Sequence, residues 1–176
     1  MSDTLITIVA ILLAAILMFI FPLLSVSERS DDISQLSVAS ATAEFVDNSR
    51  AIGKITMDNY TKLITTINAT GNSYDVELEV KILDENIGKK SAWTQGTVIG
   101  ENVYYSVYTS QIVEVLENSP TGVYTMKEGD ILSASVKNTN KTLSQTIRGV
   151  FYSMSGSDVY SIMAQHSGVV TANGSY

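Results

Sequence analysis

A run of twenty almost entirely apolar residues near the start of the chain restricts the fold more than any other feature. Residues 5–24 read LITIVAILLAAILMFIFPLL, and no charged residue occurs from position 4 to position 27. At about 1.5 Å rise per residue, a helix of this length matches the roughly 30 Å hydrocarbon core of a bilayer. We therefore expect residues 1–27 to form a single-pass membrane anchor in contact with membrane lipid.

The alternative for this run is a cleaved secretory signal. Such a signal combines a basic N-terminal region, a shorter apolar core and a small-x-small cleavage site. The three residues before Thr4 include no basic side chain, the run is longer than a signal core, and positions 21–24 contain no pair of small residues. Cleavage near Ser25 or Ser27 stays open, but the pattern favours an anchor that is retained.

Composition indicates on which side of the membrane the rest of the chain lies. Basic flanking residues usually stay in the cytoplasm, so Arg29 taken alone would place the head inside, although Asp31 and Asp32 follow it closely. The remainder is rich in Ser, Thr, Asn and Tyr, lacks cysteine, and belongs to a chain of net charge −7. We expect an extracellular head. The negative charge argues against nucleic-acid binding, because phosphate backbones are bound by basic surfaces.

Small residues mark one side of the apolar helix. Ala10 and Ala14 form a small-xxx-small pair, Ala15 adds a second point of close approach, and Thr7 can hydrogen bond across a helix interface. We expect helix–helix packing in the membrane at these positions, with a passive tether as the alternative. Pro22 lacks an amide N–H and is expected to kink the helix where it leaves the apolar layer.

Residues 28–53 predict a helical stem. Apolar side chains recur at three- and seven-residue steps at Ile33, Leu36, Ala43 and Val46, and Gly53 ends the pattern. The stripe is narrow and fits partner helices better than a wide globular core. These four positions are the expected stem contacts.

Residues 54–176 predict a small α+β head with a mostly antiparallel sheet packed by helices. Thr56 can cap a helix with apolar positions 60, 63, 64 and 67, and Gly71 can stop it. Strict alternation over 73–83 predicts a strand with carboxylates on its solvated face. Residues 112–116 fit either a strand or a helix. The other predicted elements are a loop over 84–90, strand content over 93–108 with a hinge at 100–102, a turn at 120–122, a hairpin-like turn at 127–130, a strand over 131–137, a helix over 143–154 ending at Gly156, and a last strand over 158–170.

Few residues offer catalytic or metal-binding chemistry. The absence of cysteine excludes thiolate nucleophiles, disulfides and Cys-based zinc sites, and His166 is the only histidine. Ser167 and Asp158 lie near it in sequence without the spacing of a catalytic triad, and no glycine-rich phosphate loop occurs. We expect no enzymatic activity, no cofactor and no metal site, although calcium binding by loop oxygens stays open.

The layout and one stretch of sequence carry a resemblance to a known family. A short N-terminus, a long apolar helix with an internal proline, a polar stem and an α+β head resemble the type IV pilin layout. The membrane-proximal half looks like pilin-like or TadE-like small membrane proteins associated with Tad-type pilus loci of Gram-positive bacteria. The residues that carry this likeness are Phe45, Val46, Asp47, Gly53, Lys54, Ile55, Thr56, Asn59, Tyr60, Ala69, Thr70, Gly71, Asn72, Tyr74, Asp75, Val76 and Glu77.

The resemblance implies a non-enzymatic surface protein of a type IV or Tad-type pilus or a related assembly. Its partners would be other copies or assembly subunits, bound through the N-terminal helix. A prepilin has a basic leader ending in Gly and a Glu a few residues into the apolar helix, whereas residues 1–4 contain neither Gly nor a basic residue and residues 5–24 contain no Glu. These departures favour a minor or accessory subunit. The alternative function is a membrane-tethered extracellular module that binds a solute or cell-wall polymer, and a tethered hydrolase dependent on His166 ranks last.

Overall fold

The computed structural model describes residues 2–84, 104–152 and 161–175. Its first element, α1, covers Ser2–Ile52, so one helix includes both the apolar run and the predicted stem. By length and composition α1 is the one helix in the described part of the chain that can cross a membrane, and its most apolar stretch of 18 residues is not buried. Pro22 lies inside α1, with helical backbone on both sides. The expected kink stays a prediction.

The residues after α1 form a small α+β domain with antiparallel sheets. A two-stranded sheet pairs β1 with β4, and a four-stranded sheet has the order β3-β2-β5-β6, with every pair antiparallel. The predicted α+β fold class is confirmed at this level. The elements are β1 Lys54–Thr56, α2 Met57–Asn68, β2 Tyr74–Leu83, β3 Tyr104–Tyr108, α3 Thr109–Asn118, β4 Val123–Thr125, β5 Ile131–Asn138, α4 Leu143–Tyr152 and β6 Met163–Val169.

The predicted start of α2 is confirmed in detail. Gly53 ends α1 with φ +70°. Thr56 then takes an extended conformation, and its side chain accepts a hydrogen bond from the Asn59 N–H at 3.2 Å. This satisfies one of the N–H groups that a helix start leaves without an intrahelical partner. Leu63 and Ile67 are buried, as their spacing predicts.

The alternation in β2 also has the predicted consequence. Its even-numbered positions face the core, where Val76, Leu78 and Val80 are buried. They lie opposite buried residues of β5, for example Leu78 opposite Ala134. The odd-numbered positions form the outer face of the sheet.

The structure resolves two local predictions, at 112–116 and at the hairpin-like turn 127–130, and adds two short strands that the sequence pattern does not predict. The ambiguous residues 112–116 belong to α3, in which Ile112 and Leu116, one turn apart, are both buried. The turn at 127–130 leads into β5 but joins no hairpin, because β4 pairs with β1. The strands β1 and β4 have three residues each, too few to show alternation. The predicted loop over 85–90, the strand content and hinge over 93–103, and the helix end over 154–156 lie outside the described residues.

The core lies between the inner face of the four-stranded sheet and the helices. The second half of α1 runs along β6, with Gln35 beside Met163 at one end and Arg50 bonded to Thr171 at the other. It contributes Val38, Phe45 and Val46 to the same buried cluster as the strands. The second half of the predicted stem is therefore an integral part of the head.

Candidate functional site

The first part of the candidate site is the apolar half of α1. Most of its large side chains are exposed, Phe19 by 78%, and Ala10, Ala14 and Ala15 are exposed with them. Ala10 and Ala14 lie one turn apart and so share a face. Thr7 donates its hydroxyl to Asp3 O at 2.8 Å within the same helix. An apolar surface of this extent needs lipid or protein to cover it.

The four predicted stem contacts do not share one face. Val46 is fully buried in the head's own core, Ala43 is half-buried, and Ile33 and Leu36 are 63% and 72% exposed. Steps of three and seven residues fall short of whole helical turns, so the stripe drifts by roughly 140° between Ile33 and Val46. Val46 is therefore not available to a partner helix, and Ile33 and Leu36 are the outward-facing part of the predicted seam.

The side of α1 that packs on the head is partly made of hydroxyl residues, which the sequence pattern does not indicate. Ser34 and Thr42 are buried there. Their hydroxyls donate to the carbonyls of Ser30 and Val38, at 2.9 and 2.7 Å, within α1. Because each hydroxyl is satisfied by its own helix, it can be buried at little cost.

A glutamine joins α1 to the edge of the sheet. The Gln35 side-chain amide donates to Met163 O at 2.7 Å and accepts from Met163 N at 2.9 Å. It therefore replaces the strand partner that the first residue of β6 lacks. Edge strands need such cover, because their open N–H and C=O groups can pair with other chains. No sequence signal marks Gln35.

A second set of polar contacts ties α4 to α1 close to the apolar run. The Asp31 carboxylate accepts from Thr142 Oγ1 at 2.6 Å and from the Ser144 hydroxyl. Glu28 Oε1 accepts from Arg148 Nε at 2.9 Å. A carboxylate at the start of α4 is also favoured by the helix dipole. The sequence pattern gives no sign that these charges pair with α4.

The single histidine belongs to the contact between stem and sheet. His166 Nε2 lies 3.4 Å from Asp47 Oδ1, which also accepts from Arg50 Nε at 2.8 Å. These hydrogen bonds, from Arg50 first and His166 second, hold the pKa of Asp47 below its usual value. Ser167 lies on the opposite face of β6, since neighbouring strand residues alternate, and Asp158 lies outside the described residues.

The outer face of the four-stranded sheet holds an open groove of about 800 Å³. Carboxylates, hydroxyls and an amide form its floor, and the start of α3 forms one rim. Glu79 is partly engaged there, accepting from Ser106 Oγ at 2.7 Å. Among the residues that the structure describes, no three His, Asp or Glu side chains gather as a metal site would require. The polar lining residues are Asp75, Glu77, Glu79, Tyr108, Thr109, Ser110, Ser133, Ser135 and Gln165.

Comparisons with known proteins return no match. No family model matches the chain, no curated protein matches it, and no solved structure matches its fold. The function is therefore inferred from this chain's own geometry together with the sequence resemblance to pilin-like proteins.

Proposed function

We propose that this chain is a non-enzymatic, membrane-anchored, pilin-like protein of a bacterial surface. In this role it serves as a minor or accessory subunit of a type IV or Tad-type pilus or a related assembly. The observation that supports the proposal most is the division of α1 into an exposed apolar half and a half that packs along an antiparallel sheet.

The mechanism is physical. The apolar half of α1 stays in the membrane or inserts among the apolar helices of partner subunits, with Ala10 and Ala14 allowing close approach. The second half carries the head with it, because Val38, Phe45 and Val46 are core residues. The exposed Ile33 and Leu36 are then free for lateral contacts between stems.

Photo-crosslinking in cells tests the assembly role. A photoreactive residue replaces Ala14, Leu36 or, as the control, Ser135 on the outer face of the sheet. We expect crosslinks to membrane or assembly subunits from positions 14 and 36 and not from 135. Crosslinks from position 135 alone, or from none of the three, would contradict the proposal.

Protease treatment of intact cells tests the orientation. Lys62 and Lys137 are exposed, so trypsin added outside should cut at them while residues 1–3 are retained in the membrane fraction. A head that is protected until lysis would be cytoplasmic, and the pilus role would then be wrong.

The groove on the outer sheet face favours a second candidate function, an extracellular module that binds a solute or cell-wall polymer. Its carboxylates, hydroxyls and the exposed Tyr108 suit a polyhydroxylated ligand. Titration of the detergent-solubilised chain with cell-wall glycan fragments, compared with Ser133→Trp, tests it. We expect the bulky residue on the groove floor to abolish binding. No binding by the parent chain, or equal binding by both chains, would exclude this candidate.

A further inference from the structure

The helix α4 follows β5 in the chain and lies towards the apolar half of α1. The two strands close at one end, where Asn138 N donates to Ile162 O at 3.0 Å. That end lies beside Gln35, whereas the other end of β6 lies beside Arg50. Gln35 is nearer to the apolar run than Arg50. The chain therefore leaves β5 and enters β6 at the end of the sheet that lies towards the apolar half of α1.

The contacts of α4 give its direction. Thr142 and Ser144, at its start, bond to Asp31, and Arg148, further along, bonds to Glu28. Glu28 is nearer to the apolar run than Asp31. The helix therefore runs back along α1, towards the membrane side.

The depth that α4 reaches follows from helix geometry. Glu28 is four residues beyond Leu24, the last residue of the apolar run, which is about 6 Å along the axis. The headgroup region on each side of a bilayer is about 5–8 Å thick. Arg148 therefore reaches headgroup depth, and the four residues from Gly149 to Tyr152 add about 6 Å more in the same direction.

We propose that α4 is a second membrane contact, an interfacial helix whose last turn lies in the headgroup region of the bilayer that holds α1. This inference rests on the proposed membrane anchoring of α1. Val26 of α1, 69% exposed at the same level, extends the apolar surface there. Contact at α4 together with α1 fixes the tilt of the head on the membrane.

A fluorescent depth measurement tests the proposal, and the absence of cysteine allows one label per chain. Gly149→Cys places the label on α4, where an added Cβ meets nothing within 4 Å. Val26→Cys is the reference at anchor level, and Glu117→Cys, exposed at the far end of α3, is the distant control. Each full-length chain is labelled with NBD and reconstituted in phosphatidylcholine vesicles that contain lipid with a shallow spin-label quencher.

We expect quenching at position 149 to reach at least half of that at position 26, with no quenching at 117. Quenching at 26 but not at 149 would overturn the interfacial role of α4 alone. The same conclusion holds if neither the lipid quencher nor iodide in the aqueous phase quenches the label at 149, because protein would then cover α4. No quenching at 26 would instead overturn membrane anchoring, and the proposed function with it. If Gly149→Cys fails to fold, Thr146→Cys, exposed one turn earlier on α4, carries the same label. Thr146 lies about 4.5 Å farther from the apolar run, so we expect weaker quenching there than at 26, but clearly more than at 117, and quenching no greater than at 117 would overturn the interfacial role of α4.

Discussion

The junction at Gly53 makes a strong prediction about stability. Gly53 has φ +70°, and a Cβ added there would lie 2.2 Å from Ala172 O and 2.5 Å from Gly174 N. Both are backbone atoms of the C-terminal segment, so no side chain can rotate away to make room. We expect Gly53→Ala to force this segment off the end of α1.

The expected loss can be estimated from the contacts involved. A non-glycine residue in the left-handed region costs about 1–2 kcal/mol. Displacing the C-terminal segment also threatens two backbone hydrogen bonds: Thr171 N to Arg50 O at 3.0 Å and Gly174 N to Met126 O at 2.9 Å. Each contributes about 1 kcal/mol net. The free energy of unfolding should therefore fall by about 3–4 kcal/mol, a large part of the total stability of an ordinary domain.

Gly71→Ala is the matched control. Gly71 also has positive φ, +83°, but an added Cβ there meets nothing within 4 Å. It should cost only the conformational term of about 1–2 kcal/mol. Urea unfolding of the two variants and the parent chain in detergent, followed by near-UV circular dichroism, measures the difference. Equal losses for the two variants would show that the C-terminal segment does not clamp the end of α1.

Three smaller predictions concern polar and titratable groups of the head. Ser49 is buried, and its hydroxyl has no hydrogen-bond partner among the described residues. Ser49→Ala should therefore raise the free energy of urea unfolding by about 1 kcal/mol. A lower free energy of unfolding in the variant would mean that the hydroxyl is hydrogen bonded. Burial first, and the charges of Asp130 and Tyr105 after it, raise the pKa of Tyr124 to about 12. The unfolded chain loses the same proton nearer pH 10, so the free energy of unfolding, and with it Tm, should fall between pH 10 and 12. Tyr124→Phe should make this fall in Tm smaller. The hydrogen bonds from Arg50 first and His166 second lower the pKa of Asp47 from 3.8, so its contribution to stability is present above that pH and is lost as the pH falls through the lowered pKa. Asp47→Asn should lower Tm at pH 7, and its difference from the parent chain should shrink as the pH falls below 3.8.

The parts of the fold that the sequence predicts well are those with a local cause. The cap at Thr56, the stop at Gly53 and the alternation in β2 each depend on residues close together in the chain. A helix over 143–152 follows from apolar spacing in the same way. These features could be located without knowing what packs against them.

The stem could not be predicted as well, because its packing depends on partners far away in sequence. The apolar pattern indicates Ile33 and Leu36, which are exposed, and gives no reason to bury Ser34 or Thr42. Hydroxyls count as polar in any pattern, although both are satisfied within their own helix. The pairing of Glu28 with Arg148 joins residues 120 apart, and no local rule predicts it.

The packing of α1 decides how its apolar half and the head behave together. Val38, Phe45 and Val46 are buried against the sheet and α2, and burying each contributes about 1.5–3 kcal/mol. Peeling this half of α1 from the head would therefore cost at least about 5 kcal/mol, comparable to the stability of a whole small domain. The head cannot release its stem and stay folded. A force that pulls on the apolar half of α1 must consequently move the head with it, or unfold it.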